Sequence, residues 1–408
     1  MPTIKFHTLG CKVNQYDTQS IRERFLRHGF KETRGSLKSD FYFINTCTVT
    51  AAADQKSRGI IRRCINENPK AKVIVTGCMV KSDSSELSGI KGVELIISKS
   101  FFSDGISDFS SHTRAFLKIQ DGCDNFCSYC KVPLVRGRSR SRLLKDVVEE
   151  ARVLVKKGFR EIVLTGICLG SYGKDLSMGK SKGLNLVAVI EELEKIEGLL
   201  RIRLSSIEAG DVTDALIDKL AESGKLCRHL HIPIQSGDDQ ILRKMRRKYS
   251  RKSYINLIKK IKARIPQVAI TTDCLVGFPG ENEKHFKNTL DLVNRIVPLR
   301  VHIFPYSARK GTSAYSQGAI GIQPDGFVKK NAAMLKSAAG FCSSAYKKRF
   351  LGRKMPVLFE CKSKYAKGCW EGYSDNYIKV FLKSRRNLKN KLICVRFKRI
   401  FGDAVLAS

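Results

Sequence analysis

The sequence predicts an α/β protein in three parts: an N-terminal parallel α/β domain, an open (β/α)6 barrel and a small C-terminal all-β barrel. Three observations support this prediction. Apolar, strand-like runs alternate with amphipathic, helix-like runs along most of the 408 residues, which indicates parallel sheets. A stretch rich in Ser and Asp at 99–112 is typical of a linker. After about residue 353 short strands follow one another, as in a small barrel.

The first part contains three strand–helix units. Strands are predicted at 3–9, 40–45 and 72–76, and each precedes a cysteine, in order Cys11, Cys47 and Cys78. The loops that follow the strands of a parallel sheet gather at one edge. We therefore expect the three thiols to lie together as a metal site with one coordination position free. Asn14 and Asn45 flank this site, and they either orient ligands or substrate or cap a helix or turn.

The second part is predicted to hold six strands separated by helices, at 115–119, 161–165, 201–206, 229–234, 268–278 and 300–306. In parallel barrels the chemistry lies at the carboxyl ends of the strands. Turn formation would explain any single polar or glycine residue there, but a set around one rim favours a pocket. The candidate pocket residues are Thr165, Gly166, Ser205, Glu208, Gln235 and Asp273.

The loop after the first strand of this part carries three more cysteines, Cys123, Cys127 and Cys130, with the spacing C-x3-C-x2-C. Three thiolates are one ligand short of a closed tetrahedral zinc site or of an iron–sulfur cube held fully by protein. A cube held this way leaves one iron open to a chelating small molecule. The alternative is a zinc site completed by a His or a fourth Cys.

The charge of the chain predicts a polyanionic partner. Lys and Arg outnumber Asp and Glu by 75 to 38, which gives a formal net charge of +37. Residues 342–408 hold 17 Lys or Arg against 4 Asp or Glu, interleaved with Tyr365, Trp370, Tyr373 and Tyr377. Basic residues beside aromatic stacking surfaces favour RNA binding over a merely solvated face.

The cysteine count and the apolar pattern bear on location. Fourteen cysteines could form disulfides, but the start MPTIKFHTLGC has no basic segment before an apolar run. No apolar run approaches the roughly 20 residues that span a bilayer. We therefore expect a cytoplasmic chain with reduced thiols and no membrane contact, and we expect the eight cysteines outside the two triads to pack mostly in cores.

These motifs resemble those of the radical S-adenosylmethionine (SAM) methylthiotransferases. The resemblance runs from end to end and is carried by TLGCKVNQYDTQ at 8–19, INTCTVT at 44–50, GCDNFCSYCKVPLVRGRSRSR at 122–142, HIPIQSGDDQILRKMRRKY at 231–249 and LVGFPGE at 275–281. Within the family, the similarity is to the branch that acts on threonylcarbamoyladenosine in tRNA, at TLGCKVNQYDTQ (8–19), INTCTVT (44–50), KSRGIIRR (56–63) and TGC (76–78). This sequence departs from the family pattern at two positions. Cys168 stands where the family more often has Asn or His, and Ala209 stands where the family usually has proline.

The resemblance implies three domains: residues 1–100 with a second [4Fe–4S] cluster, a radical SAM core at 113–340 built as a partial TIM barrel, and a TRAM RNA-binding domain at 344–408. The first cluster would be held by the cysteines of the C-x3-C-x2-C loop. Tyr129 would pack near the adenine of SAM, and Arg247 with Tyr249 would lie near the SAM or nucleotide pocket.

The implied reaction adds a methylthio group to C2 of the modified adenine next to the anticodon, using two SAM molecules, an external electron donor and a sulfur source. A cofactor radical is needed because this aromatic C–H has no acidic proton. The tRNA anticodon stem-loop would be the partner. Sister branches act on isopentenyladenosine in tRNA or on a ribosomal protein. A different class of alternative is a non-catalytic RNA-binding protein whose cysteines hold structural metal.

Overall fold

The computed structural model describes residues 1–35, 37–82, 84–97, 105–109, 112–176, 183–316 and 323–408. In these ranges a five-stranded parallel sheet, six further parallel strands and a closed five-stranded barrel follow one another along the chain. The predicted α/β fold class is confirmed. Of the predicted linker, 99–104 and 110–111 lie outside the described residues. No helix within the described ranges is both long and apolar enough to cross a bilayer.

The N-terminal sheet has five strands, β1 (Thr3–Thr8), β2 (Lys31–Glu32), β3 (Phe41–Thr46), β4 (Lys72–Gly77) and β5 (Val93–Ile97). They are parallel, in the order β2-β1-β3-β4-β5. Its helices are α1 (Lys12–Arg27), α2 (Ala51–Glu67), α3 (Cys78–Ser82) and α4 (Ser84–Ser88). The sequence predicted β1, β3 and β4 but not the edges, because β2 has only two residues and β5 is half exposed.

Six parallel strands form the second part: β6 (Ala115–Lys118), β9 (Glu161–Thr165), β10 (Arg201–Leu204), β11 (His229–His231), β12 (Ala269–Val276) and β13 (Arg300–Pro305). The first three and the last three form two sheets, joined by parallel bridges from Ile202 to Leu226 and from Ser206 to His231. Chain order is therefore also spatial order, and the predicted open (β/α)6 barrel is confirmed.

An antiparallel pair that the sequence did not predict, β7 (Gln120–Asp121) and β8 (Arg140–Ser141), brackets the second cysteine loop. The helices around the barrel are α5 (Val132–Arg136), α6 (Leu144–Lys156), α7 (Leu186–Glu194), α8 (Asp214–Glu222), α9 (Asp239–Lys244), α10 (Arg251–Arg264), α11 (Glu283–Ile296), α12 (Ser313–Ser316) and α13 (Asp325–Lys348). Several have the capping residues that begin a helix. Ser250 and Asn282, for example, each form a capping box. The predicted domain boundary between 340 and 344 falls inside α13.

The C-terminal barrel closes in the order β14-β15-β16-β18-β17. Its strands are β14 (Lys354–Lys362), β15 (Cys369–Ser374), β16 (Lys379–Lys383), β17 (Leu392–Phe401) and β18 (Ala404–Ala407). The predicted small all-β barrel is thus confirmed, and it is consistent with a TRAM domain. Phe359, Val380 and Phe397 lie in its core.

This barrel packs under the amino-terminal ends of the larger barrel's strands. Arg201 donates to the carbonyl oxygens of Tyr373 at 2.9 Å and Pro356 at 2.7 Å, and Arg203 donates to Ser374 O at 3.1 Å. Glu161 forms an ion pair with Arg203, with 2.6 Å between Oε1 and Nε. The carboxyl ends of the strands, where chemistry is expected, are left free on the opposite side.

The aromatic side chains of the basic tail differ from the sequence prediction. Trp370 is buried in the barrel core, so its predicted role as a stacking surface is wrong. Tyr373 and Tyr377 stack on each other at 5.1 Å, and Arg114 lies over both rings. Of the four predicted aromatics, Tyr365 is the one freely exposed to solvent, at 77%.

All fourteen cysteines are free thiols, as expected for reduced metal-binding residues. Of the eight outside the two triads, six are buried, in agreement with core packing. Cys361 and Cys394 are exposed on strands of the C-terminal barrel, so the core prediction is wrong for these two. Alternation of side chains along β14 and β17 places both cysteines on the outside of the closed barrel.

Candidate active site

The first cysteine triad lies at the carboxyl edge of the N-terminal sheet. Cys11 precedes α1, Cys47 follows β3 directly, and Cys78 begins α3 directly after β4. Cys47 and Cys78 are buried and Cys11 is exposed. All three line one cavity, so the convergence expected from parallel topology is observed.

Two glycines allow this close approach of the loops. Gly10 has a φ of +95°, and a Cβ on it would lie 3.0 Å from Cys47 Sγ. Gly77 has a φ of +107°, and a Cβ there would lie 2.3 Å from Thr46 O. Neither position accepts a side chain without moving a cysteine-bearing loop.

Asn14 and Asn45 brace these loops. Asn14 is buried and donates to Leu9 O at 2.7 Å and to Thr46 O at 3.0 Å, which ties the loop after β1 to the loop after β3. Asn45 donates to Asn14 O at 3.0 Å. The two amides therefore fix the positions of Cys11 and Cys47 through the backbone.

The second triad lies in the loop between β7 and α5. Its start is held by a bond from Cys123 N to Gly137 O at 3.1 Å, and its middle by one from Ser128 N to Met245 O at 3.1 Å. Cys123, Cys127 and Cys130 are all partly accessible. A turn of chain fixed at several backbone points is suited to holding three ligands around one centre.

Polar side chains reach the sulfurs of this loop. Arg247 Nη1 donates to Cys127 Sγ at 3.2 Å, and Arg247 also forms an ion pair with Glu208. Asn125 Nδ2 donates to Cys168 Sγ at 3.5 Å. A hydrogen bond with Cys168 lowers the pKa of Cys123. The departure at Cys168 thus places an extra thiol beside a predicted metal ligand.

Burial acts on the other thiols in the opposite direction. It raises the pKa of Cys130 to about 12 and also raises the pKa of Cys47. Both are therefore protonated thiols at neutral pH in the absence of a positive centre. Because metal ligands must be thiolates, binding at either triad is coupled to release of protons.

Outside the cysteine triads, the described residues bring together another group of possible metal ligands. His231, Asp273 and His302 each have a ligand atom within 4.8 Å of the other two. Each cysteine triad supplies three thiols, the number that leaves one position of a four-iron cluster open.

The two triads face one cavity of about 410 Å³. Its wall contains the whole first triad together with Cys130 of the second. The predicted pocket residues found in the same wall are Tyr129, Thr165, Gly166, Ser205, Gln235 and Asp273. Six of the eight candidate cofactor-binding residues are therefore brought together between the triads.

The other two candidates lie elsewhere. Glu208 and Arg247 line a second cavity, of about 530 Å³, which also contains Cys127 and Tyr249. The cysteine loop thus presents Cys130 to the first cavity and Cys127 to the second. Burial raises the pKa of Glu208.

Sequence reasoning missed several residues of the cavity wall. Arg136 is buried and paired with Asp121 at 2.7 Å, and it also donates to Asn14 Oδ1. Lys12, next to a predicted ligand, also lines the cavity. The basic run around Arg136 gave no sign of which side chain turns inward, whereas the position of Lys12 beside Cys11 could have indicated that Lys12 lines the cavity.

Comparison with known proteins places this architecture in a class. Residues 117–293 match the family model of the radical SAM superfamily, and residues 3–98 match that of "Uncharacterized protein family UPF0004". Among solved structures, the radical SAM methyltransferase TsrM from Kitasatospora setae is similar with a TM-score of 0.54 at 14% identity, over 78% of this chain and 77% of that chain. At 14% identity, this structural similarity shows that the two proteins share a fold and nothing more. The fold and the cysteine loop at the barrel mouth define a radical SAM enzyme.

The relatives narrow the class. The chain is 37% identical to "Threonylcarbamoyladenosine tRNA methylthiotransferase MtaB" of Bacillus subtilis, over 97% of this chain and 94% of the relative. A protein of the same name from Thermotoga maritima is 36% identical over 100% and 97%. The "tRNA-2-methylthio-N(6)-dimethylallyladenosine synthase" of Clostridium tetani is 35% identical over 97% and 94%. This chain belongs to the radical SAM methylthiotransferase family. Its cofactors are SAM and two [4Fe–4S] clusters, as predicted.

Proposed function

We propose that this enzyme methylthiolates C2 of N6-threonylcarbamoyladenosine next to the anticodon of tRNA, giving 2-methylthio-N6-threonylcarbamoyladenosine. The observation that carries the proposal is one cavity of about 410 Å³ with thiols of both triads in its wall. Joining a sulfur group to an aromatic carbon requires both centres to reach the same nucleotide. The names of the two relatives at 36% and 37% identity support the choice of nucleoside.

In this proposal the loop cysteines Cys123, Cys127 and Cys130 hold the first cluster, and Cys11, Cys47 and Cys78 hold the second. When bound, these groups and SAM supply a hydrogen-abstracting radical and a methylthio group. The protein need not supply a base, because the adenine C2–H has no acidic proton. Its task is to hold the two centres on opposite sides of the adenine.

The remaining wall residues bind and orient. We assign SAM or substrate contacts to the predicted set, Tyr129, Thr165, Gly166, Ser205, Gln235 and Asp273, and to Glu208 with Arg247 in the adjoining cavity. Tyr129 makes an edge-to-face contact with Phe278, with 6.3 Å between the ring centroids, which holds its ring in the cavity wall. Val135 and Leu275 add apolar surface that excludes water.

The domain roles follow the same proposal: residues 1–100 carry the second cluster, 113–340 are the radical SAM core, and 344–408 bind RNA. A tRNA substrate is consistent with the net charge of +37, because basic side chains bind the phosphate backbone. The modified base adjoins the anticodon, where single-stranded nucleotides enter a pocket at low cost. An external electron donor and a sulfur source complete the reaction, and we place the enzyme in the cytoplasm with its substrate.

The test is nucleoside analysis of tRNA from a strain that lacks the gene. We expect the methylthio group to disappear from threonylcarbamoyladenosine and to return with the wild-type gene but not with Cys127→Ala. Loss of the methylthio group from isopentenyladenosine would instead assign the enzyme to the sister branch, to which some relatives' names point.

A further inference from the structure

Lys12 brings a positively charged side chain to the cavity. It follows Cys11, begins α1 and lines the cavity between the triads. Its ammonium makes no ion pair or hydrogen bond with any described residue. Of the other wall cations, Arg136 is neutralised by Asp121 at 2.7 Å and Asp17 at 3.7 Å, and Lys131 lies beside Cys130 of the second triad.

The carboxylates of the cavity wall and of the arginines near Lys12 have partners of their own. Burial lowers the pKa of Lys12, while Tyr377 and Cys11 nearby raise it and Arg114 and Arg203 lower it. Arg114 and Arg203, also nearby, already have their own carboxylate partners, Glu360 at 2.5 Å and Glu161 at 2.6 Å. The carboxylate in the cavity wall, Asp273, lies 3.2 Å from His231 Nε2.

The start of α1 adds positive potential at the same place. Its N-cap residue, Cys11, makes no side-chain capping bond, and no acidic residue lies in the first turn. The amino end of a 16-residue helix carries a partial positive charge that attracts anions. An anion beside the Lys12 ammonium would interact with both.

The two candidate nucleosides differ in whether their side chain carries an anion. Threonylcarbamoyladenosine carries a carboxylate and a hydroxyl on its side chain, whereas isopentenyladenosine carries only a branched hydrocarbon. Hydrocarbon packed against Lys12 would leave a desolvated ammonium without a partner, which is costly. A carboxylate would provide the ammonium with a partner for an ion pair and a hydrogen bond.

We propose that Lys12 is a specificity-determining residue that binds the threonyl carboxylate of the substrate. This inference rests on the proposed function, since it names the group that the same cavity recognises. Because Lys12 follows Cys11, a proposed ligand of the second cluster, it would hold the substrate side chain on the second-cluster side of the adenine, away from SAM.

The experiment compares two anticodon stem-loop RNAs, one with threonylcarbamoyladenosine and one in which the threonyl carboxylate is replaced by its amide. Dissociation constants are measured with reconstituted holoenzyme without reductant, and product formation with reductant. For wild type we expect the carboxylate RNA to bind roughly 10- to 100-fold more tightly than the amide RNA, as for a hydrogen bond to a charged group. For Lys12→Met we expect this preference to disappear, and for Lys12→Arg to remain in large part.

Iron content and SAM cleavage without RNA separate this role from support of a cluster, and we expect both to be unchanged in Lys12→Met. The matched control is Lys260→Met, an exposed lysine on α10 paired with Asp214, which should keep the wild-type preference. An unchanged preference in Lys12→Met, or equal loss on both RNAs with loss of iron, would overturn the inference. If wild type modifies only an isopentenyladenosine RNA, the proposed function itself fails, which is a distinguishable result.

Discussion

Arg247 and Cys127 are joined by a hydrogen bond of 3.2 Å, from Nη1 of the guanidinium to Sγ of the thiol. The same guanidinium pairs with Glu208 and stacks over the ring of Tyr249 at 5.1 Å. Tyr249 in turn donates to Ile234 O at 2.8 Å. Arg247 and Tyr249 together therefore link a proposed cluster ligand, a carboxylate of the adjoining cavity and the segment that follows β11.

Arg247→Met should make the first cluster harder to reduce. The variant removes a hydrogen bond to a ligand sulfur and leaves the Glu208 carboxylate unpaired nearby, and both changes disfavour an added electron. We expect a lower reduction potential in a spectroscopically monitored titration, and SAM cleavage slower by about 10-fold or more. Arg243→Met, on the exposed side of α9, is the control. A wild-type potential in Arg247→Met would show that the contact does not tune the cluster.

The two triads should differ in their effect on SAM. Cys127→Ala should abolish SAM cleavage, because it removes a ligand of the cluster that reduces SAM. Cys47→Ala should retain abortive cleavage but form no methylthiolated nucleoside. The product of SAM cleavage and the methylthiolated nucleoside can both be measured by chromatography. The control is Cys394→Ala, because Cys394 is exposed and lies outside both triads. Equal loss of cleavage in both variants would contradict this division of labour.

A buried ion pair holds the N-terminal sheet against the barrel. Arg309, after β13, pairs with Asp54 of α2 and donates to Thr48 Oγ1 at 2.8 Å. Arg309→Met would leave Asp54 buried without its partner, at a cost of about 3–5 kcal/mol. We expect hydrogen exchange of residues 47–54 to become roughly 100-fold faster or more.

The matched control for this pair is Arg264→Met, because Arg264 forms an exposed pair with Asp218 at 3.1 Å. Exposed pairs contribute at most about 1 kcal/mol. Unchanged exchange in Arg309→Met would mean that the two sheets are held together by other contacts.

Glu281 should make stability depend on pH near neutrality. Burial raises its pKa from 4.5 to about 7, although Gly277 N donates to its Oε2 at 2.6 Å. The folded state binds the proton more tightly than the unfolded state, so stability falls as pH rises from about 4.5 to above 7. Between pH 6 and 8 the loss is about 1.4 kcal/mol. Glu281→Gln should lose this dependence, and the exposed Glu283→Gln should keep it. Equal slopes for wild type and Glu281→Gln in paired unfolding measurements would refute the prediction.

The cysteine arrangement could be predicted because topology alone determines it. Parallel strands bring the residues after them to one edge, so Cys11, Cys47 and Cys78 converge whatever their side-chain contacts. The same rule gave the barrel rim, including Thr165 and Gln235. Edge strands β2 and β5 could not be predicted, because two residues or a half-exposed run give no periodic signal.

Ion pairs between residues far apart in the chain could not be predicted from the sequence either. Arg309 and Asp54 are 255 positions apart, and nothing local marks either as a partner. Trp370 shows the related difficulty for surfaces: in a small barrel, a one-residue difference in register decides whether an aromatic faces solvent or the core. That Lys12 has no ion pair or side-chain hydrogen bond within the described residues is likewise visible only in three dimensions.

The central claim is that two cysteine triads hold two clusters facing one cavity. Its most direct test is the iron and acid-labile sulfide content after anaerobic reconstitution of three proteins: wild type, Cys123→Ala with Cys127→Ala and Cys130→Ala, and Cys11→Ala with Cys47→Ala and Cys78→Ala. The account predicts roughly eight irons per chain in wild type and roughly four in each triple variant, with matching sulfide. Zinc without sulfide, or iron that is unchanged by removal of either triad, would contradict it.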